Sequence, residues 1–151
     1  MKIQVGDLFK AKEDVLVHGC NCFNVMGAGI ALQVVKMYPG AYYEADMYTI
    51  RGDKAKLGTY SAWTGNHFFY DQRITIVNAY TQYYANPNTK PLDYEALGMV
   101  MRSINNQFPT ESIAMPKIGA GLAGGNWDRI LIILNSVFLN RDNVTVYIYE
   151  K

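Results

Sequence analysis

The stretch His18–Ala31, HGCNCFNVMGAGIA, follows the apolar run Val15, Leu16, Val17 and opens into an amphipathic pattern. It reads as a strand, a loop and a helix in succession. Gly27 and Gly29 flank Ala28 where the helix begins, so the backbone there can approach a ligand with no side chain between, and the first-turn N–H groups are left to face it. Such a place suits an anion. A second stretch of the same design lies downstream: the apolar Ser112–Met115, then PKIGAGLAGG, then the helical pattern NWDRILIILNSVF. In an open α/β sheet, loops of this kind meet in one crevice at the carboxyl ends of neighbouring strands. One ligand carrying two anionic groups fits that arrangement.

The 151 residues, half of them apolar, are one domain's length, so residues 1–151 read as a single domain with a sizeable core. Fourteen Lys plus Arg against thirteen Asp plus Glu leave a formal charge of +1 with no basic run. That balance argues against strong general binding of nucleic acid through its phosphate backbone, while leaving a nucleotide ligand open. Cys20 and Cys22 are one residue apart, a spacing that neither closes easily into a disulfide nor matches paired-cysteine zinc sites, and they read as reduced thiols. The N-terminal MKIQVGDLFK lacks the apolar segment of a signal peptide, and no run approaches a membrane span. The expectation is a soluble, cytoplasmic protein with no membrane partner and an oligomeric state that the sequence leaves open.

Lys2–Val5 alternates like a short strand and stops at Gly6-Asp7. After the first glycine loop, Ile30, Val34 and Tyr38 recur at helical spacing, and Pro39-Gly40 ends the pattern. A second helix is expected from Ala41 to about Arg51. Thr59–Thr64 and His67–Tyr70 flank Gly65-Asn66 as a hairpin would, and Ile74–Ala79 is a β-branched run suited to burial on both faces of a sheet. Tyr80–Pro91 reads as a polar, aromatic loop over the same sheet edge as the glycine loops. Leu92–Asn106 has helical spacing, and the chain closes with strand Ser112–Met115, a helix from Asn126 to about Asn140, and strand Val144–Tyr149. Alternating strands and helices point to an α/β fold, a three-layer α/β/α sandwich with a mixed central sheet. Its antiparallel parts are expected at the hairpin and at the strands from the two ends of the chain.

Several side chains carry two readings each. Neither glycine loop has the Lys-Ser/Thr ending of a P-loop, and the first lacks the dinucleotide fingerprint, which disfavours a nucleotide triphosphatase or a Rossmann dehydrogenase. Asp7 either caps a turn or meets a ligand. His18 and Asn21 are either satisfied loop residues or catalytic ones. Nothing basic marks Cys20 or Cys22 as an activated thiolate. No cluster of His, Asp and Glu suggests a metal, and no cofactor is indicated. Tyr80, Tyr83 and Tyr84 serve either packing or cover of an adenine or ribose face.

Gly6-Asp7-Leu8, the His18–Ala31 stretch, and Met115–Gly125 followed by Trp127 together resemble the macro domain, in the branch containing ADP-ribose 1″-phosphate phosphatases and ADP-ribosyl glycohydrolases. The resemblance covers essentially the whole chain and implies a three-layer α/β/α fold that binds ADP-ribose between the two glycine loops. It implies that Asp7, after Gly6 and with Leu8 beside it, receives the adenine amino group. Gly19, Cys20 and Asn21, with Met26, Gly27, Ala28, Gly29, Ile30 and Ala31, would line the distal ribose and diphosphate. From the other side Ile118, Gly119, Ala120, Gly121, Leu122, Ala123 and Gly124 would wrap the phosphates, with Tyr80 and Gln82 also at the ligand.

Two departures bear on chemistry. Glycohydrolases similar to this chain place a catalytic lysine where Gln82 aligns, after Thr81, and those acting on acidic side chains have an aspartate where this chain has Ala123. Neither replacement can form an adduct or move a proton. The HGCNC segment resembles the phosphatase members, so the expected activity is hydrolysis of ADP-ribose 1″-phosphate to ADP-ribose and phosphate, with His18 as acid or base and Asn21 orienting ribose or water. The alternatives are a glycohydrolase releasing ADP-ribose from protein or nucleic acid, and a non-catalytic reader of ADP-ribose.

Overall fold

A computed structural model describes residues 1–150. Six strands, β1 (Lys2–Val5), β2 (Val15–Asn21), β3 (Tyr60–Asn66), β4 (Arg73–Gln82), β5 (Ile113–Met115) and β6 (Val144–Ile148), form one sheet in the order β1-β6-β5-β2-β4-β3. The helices are α1 (Gly29–Met37), α2 (Tyr94–Gln107) and α3 (Trp127–Val137). Period-two alternation along β2 sorts the layers. Val15 and Val17 join Leu97, Met101 and Ile104 of α2 and Ile130 and Leu134 of α3 in one core. Leu16 faces the other way, into a core with Val34 of α1, Tyr38 and the buried turn residues Leu8 and Phe9. The result is the expected three-layer α/β/α sandwich with a mixed central sheet. Among the described residues no helix is long and apolar enough to cross a membrane.

The mixed character of the sheet has a narrower source than expected. Only β3 and β4 pair antiparallel, whereas β1 and β6 run parallel in register Lys2↔Thr145 to Val5↔Ile148. Residues 6–14 return from the carboxyl end of β1 to the start of β2 through a 3₁₀ turn, Leu8–Lys10, that buries Leu8 and Phe9. A return without helical periodicity looks, in sequence, like a tight turn. The hairpin is also displaced. Gly65 and Asn66 lie inside β3, opposite Ile74 and Arg73, and residues 67–72 make the connection. Gly65 is there because the Trp63 ring folds over it: a Cβ at Gly65 would stand 2.2 Å from Trp63 Cη2. Residues 41–51 are not one helix but a π turn, Ala41–Ala45, followed by a 3₁₀ turn, Asp46–Tyr48.

Tertiary ties override helical spacing in that segment. The Ala41 carbonyl accepts from Asn78 Nδ2 at 2.9 Å, and Asp46 Oδ1 accepts from Tyr80 Oη–H at 2.6 Å. Asn78 is fully buried and also donates to Ser61 Oγ at 3.1 Å, while its Oδ1 lies 2.7 Å from His18 Nε2. Because the amide nitrogen is spent on these acceptors, Oδ1 must accept, which places the His18 proton on Nε2. Asn78→Ala leaves the buried His18 Nε2–H with only the Cys20 sulfur, 3.6 Å away, and takes one of two donors from the Ala41 carbonyl, which keeps the Asp46 N–H. We expect a loss of about 2–4 kcal/mol, seen by calorimetry as a melting point lower by roughly 5–15 °C.

Candidate functional site

β2 and β5 are parallel neighbours, yet the chain leaves β2 for α1 on one face and β5 for α3 on the other. Ligand crevices form at the carboxyl ends of strands at such a switch point. Here the crevice has a volume of about 520 Å³. The carboxyl ends of β2 (His18–Asn21) and β4 (Thr81, Gln82) line it together with Ala85, with residues 25 and 27–31 on one wall and residues 116–119 and 121–123 on the other.

The first wall is held by side chains that bond to its backbone. Asn21 Oδ1 accepts from Phe23 N at 2.9 Å, and its Nδ2 donates to the Val25 carbonyl at 2.8 Å, folding residues 21–25 into a tight loop. Lys56, buried to 7 % exposure, donates to the Cys22 carbonyl at 3.2 Å and to Asn24 Oδ1 at 2.6 Å. Burial lowers the pKa of Lys56. At α1 the cap residue Ala28 offers no side-chain hydrogen bond, whereas Asp93 caps α2 through Ala96 N and Asn126 caps α3 through Arg129 N. The first-turn amides of α1 are therefore left to a ligand, with the positive end of the helix dipole behind them.

The second wall is a run of close approaches. Gly125 N donates to the Gly119 carbonyl at 2.8 Å, and a Cβ on Gly125 would lie 2.2 Å from Leu92 Cδ2 and 2.6 Å from that carbonyl oxygen. Gly121 differs, since a Cβ there meets nothing within 4 Å.

The titratable groups of the lining are His18, Cys20 and Lys117. His18 is 1 % exposed, and desolvation brings its pKa down to about 4 despite the Asn78 bond. It is neutral at pH 7. Burial pushes Cys20 well above the usual thiol range and raises Cys22 too, so both are protonated thiols and fit the unactivated reading. Lys117 is exposed, with its ammonium 5.3 Å from the Trp127 ring.

Other expected ligand residues lie elsewhere. Tyr80 is 1 % exposed and hydrogen-bonded to Asp46 and Ser61, so its place is in the packing beneath the crevice, which corrects its reading as a ligand cover. Gly6 and Asp7 border a separate open groove with Lys12 and Tyr147, Asp7 Oδ1 accepts from Phe9 N at 2.9 Å, and Leu8 is in the core. Met26 packs with Cys20, Cys22 and Tyr80, and Ala120 and Gly124 belong to the second wall without facing the crevice. Sequence reasoning missed Thr81, because β4 was expected to end at Ala79. The β-branched threonine continuing the alternation of ITIVNAYT was the available signal.

Three aromatic residues, of which Tyr84 is exposed and Phe23 and Tyr83 are half-buried, adjoin lining residues in sequence. Phe23 sits between Asn21 and Val25, and Tyr83 and Tyr84 between Gln82 and Ala85, all four flanking residues being part of the lining. Phe23 stacks near-parallel to Tyr84 at 6.2 Å between ring centroids and meets Tyr83 edge-on at 5.0 Å, with the Lys54 ammonium 5.3 Å from the Tyr83 ring.

The sequence pattern of the Macro domain family matches residues 17–134, and the chain belongs to this family. A 17.5 kDa uncharacterized protein of Enterobacteria phage T4, from the tk-vs intergenic region, is 38% identical over 125 residues, 80% of this chain and 77% of the phage protein. The DNA ADP-ribosyl glycohydrolase of Mycobacterium tuberculosis is 30% identical over 145 residues, which are 95% of this chain but 40% of that protein. The macrodomain of Mycobacterium tuberculosis DarG superposes with a TM-score of 0.72 at 25% identity, covering 99% of this chain and 97% of that one. These relatives correct one expectation. A net charge of +1 argues against strong general nucleic-acid binding, but the name of the mycobacterial enzyme puts DNA in that enzyme's substrate.

The buried neutral His18 makes stability pH-dependent. Its folded-state pKa lies below the unfolded value of about 6.5, so the unfolded chain takes up a proton first, and stability present above that pH is lost as pH falls toward 4. The contribution is about 3 kcal/mol. Urea titrations should show His18→Gln losing less stability than the parent between pH 6.5 and 4; parallel pH curves would mean that His18 charges freely in the fold.

Proposed function

We propose that this protein binds ADP-ribose in the crevice and hydrolyses the glycosidic bond that joins ADP-ribose to a nucleic-acid base. The observation that carries the reading is the uncapped start of α1 facing a second wall of glycines across one crevice. Hydrogen bonds to charged groups are worth about 1.5–3 kcal/mol each. Four or five amides on a diphosphate therefore reach the roughly −8 kcal/mol of micromolar affinity after ordering costs. The resemblance of the DNA ADP-ribosyl glycohydrolase over nearly the whole chain favours the glycosidic bond over the phosphate ester. Tyr84, exposed and next to Ala85 of the lining, favours a flat leaving group, since bases stack on exposed rings and carboxylate side chains do not.

His18 no longer supports the phosphatase reading. A buried imidazole with its pKa near 4 is not a general acid at pH 7, and Nε2–H is already given to Asn78. In hydrolysis at the anomeric carbon, a water oxygen bonds to that carbon, the bond to the base breaks with its electron pair going to the base, and the water's proton reaches the base through solvent or the substrate's own oxygens. The chain's part is positional. α1 fixes the diphosphate, and Asn21 holds the first wall in shape. Gln82, whose Nε2 donates to the Tyr84 carbonyl at 2.8 Å, stands at the crevice as a neutral amide where similar glycohydrolases have a lysine. Turnover is expected to be slow, because the roughly 10²- to 10⁴-fold that an acid–base side chain supplies is missing. That same lack supports a second reading, a reader that binds ADP-ribose and breaks no bond.

Single-stranded DNA carrying ADP-ribose on a base should release free ADP-ribose, detected by chromatography, while ADP-ribose 1″-phosphate stays intact. Phosphate release without DNA turnover would restore the phosphatase reading, and binding with neither product would leave the reader. Gly121→Glu puts a carboxylate on the second wall at a position where a Cβ meets nothing within 4 Å. Calorimetry should show ADP-ribose affinity lower by at least about 100-fold with the melting point of the free protein unchanged. Unaltered affinity would move the diphosphate elsewhere.

A further inference from the structure

The pairing of β2 with β4 slips by one residue at the crevice. Cys20 lies opposite Tyr80 and Asn21 opposite Gln82, which leaves Thr81 with no partner on β2. A surplus residue of this kind bends a strand and re-aims its side chains, and here the consecutive Thr81 and Gln82 both line the crevice. Thr81 is fully buried, and among the described residues its Oγ1 has no hydrogen-bond partner. Above it is Gly19, where a Cβ would come within 3.0 Å of that oxygen. Glycine at that position keeps a β2 side chain from pressing on the hydroxyl.

A buried hydroxyl without a partner costs stability, so its retention at the floor of a binding crevice calls for a partner that arrives with the ligand. Resting on the ADP-ribose reading above, we propose that the Thr81 hydroxyl is a specificity-determining contact that hydrogen-bonds a sugar hydroxyl of the bound ligand, on the ribose that ADP-ribose has and ADP lacks. The surroundings set this chemistry. Gly19 and the Ile118 side chain, which flanks the same space, are apolar, and the neighbouring Asn21 and Gln82 are neutral amides. No charge there would hold a phosphate, while a hydroxyl can both give and take a hydrogen bond with threonine. The diphosphate goes instead to the amides of α1.

Calorimetric titration of ADP-ribose and of ADP into the parent protein, Thr81→Val and Thr81→Ser tests the assignment. Valine keeps the shape and removes the hydroxyl, and serine keeps the hydroxyl. ADP-ribose should bind Thr81→Val about tenfold more weakly, ADP should bind all three alike, and Thr81→Ser should recover most of the ADP-ribose affinity. In the absence of ligand Thr81→Val should melt no lower than the parent, since the lost hydroxyl has no partner in the free protein. Undiminished ADP-ribose affinity in Thr81→Val would overturn the proposal, as would an equal loss for both ligands, a loss that serine does not repair, or a marked fall in the melting point of free Thr81→Val. A parent protein that binds no ADP-ribose would overturn the underlying reading and this one with it, and that outcome is visible before any variant is tested.

Discussion

β2 and β5 share backbone hydrogen bonds over a short register, Val15 with Ile113 and Leu16 with Ala114, and then diverge. Because their chains depart to opposite faces of the sheet, no connection can close the gap above them, and both strand ends must finish as loops whose backbones face each other. Everything distinctive about the molecule follows from that divergence. The glycines of the second wall pack within van der Waals limits that exclude a Cβ at Gly125, and the first wall takes its shape from Asn21 and Lys56. The open space at Gly121 is what remains between them. The crevice is thus a by-product of topology that side chains then stiffen.

Stiffening uses polar groups in places where apolar ones would pack more simply. His18, Asn78, Ala41 and Ser61 form a buried chain of hydrogen bonds on the α1 side of the sheet, and Asp46, Tyr80 and Lys56 gather beside the first wall. Such networks add little net stability but penalise alternative packings heavily, because any shift leaves a donor or acceptor bare. The histidine that looked most like a reactive group is therefore part of the frame. Its neutrality and its buried Nε2 bond belong to the fold, and the chemistry of the crevice has to come from placement.

Much of this was legible in the chain. The two glycine loops and the β-branched Ile74–Ala79 run announced parallel strands feeding helices, and Asn126 marked the start of α3 as written. What escaped was decided by contacts distant in sequence. Gly65 looks like a turn until Trp63 is seen lying on it. Residues 41–51 have helical spacing, but Asn78 and Tyr80 capture Ala41 and Asp46 and break it into short turns. The direction of β1 depended on whether residues 6–14 turn back at once or travel the height of the sheet, and no local pattern distinguishes the two. In the crevice, most of the glycine positions were readable because backbone approach is a property of the residue itself. Thr81 was not, because its importance lies in an extra residue on β4 relative to β2, a relation between strands.

That extra residue sets two demands against each other. Deleting one position from β4 would restore regular pairing with β2 and satisfy the sheet more fully, but it would rotate the strand end so that Thr81 and Gln82 could not both face the opening. Regularity of the sheet and accessibility of the crevice are alternatives at this point. Laboratory evolution for heat resistance alone would be expected to erode this irregularity first, yielding a tougher protein with a blinded crevice. The persistence of the slip among natural variants would accordingly track retention of ligand recognition more closely than overall sequence similarity does.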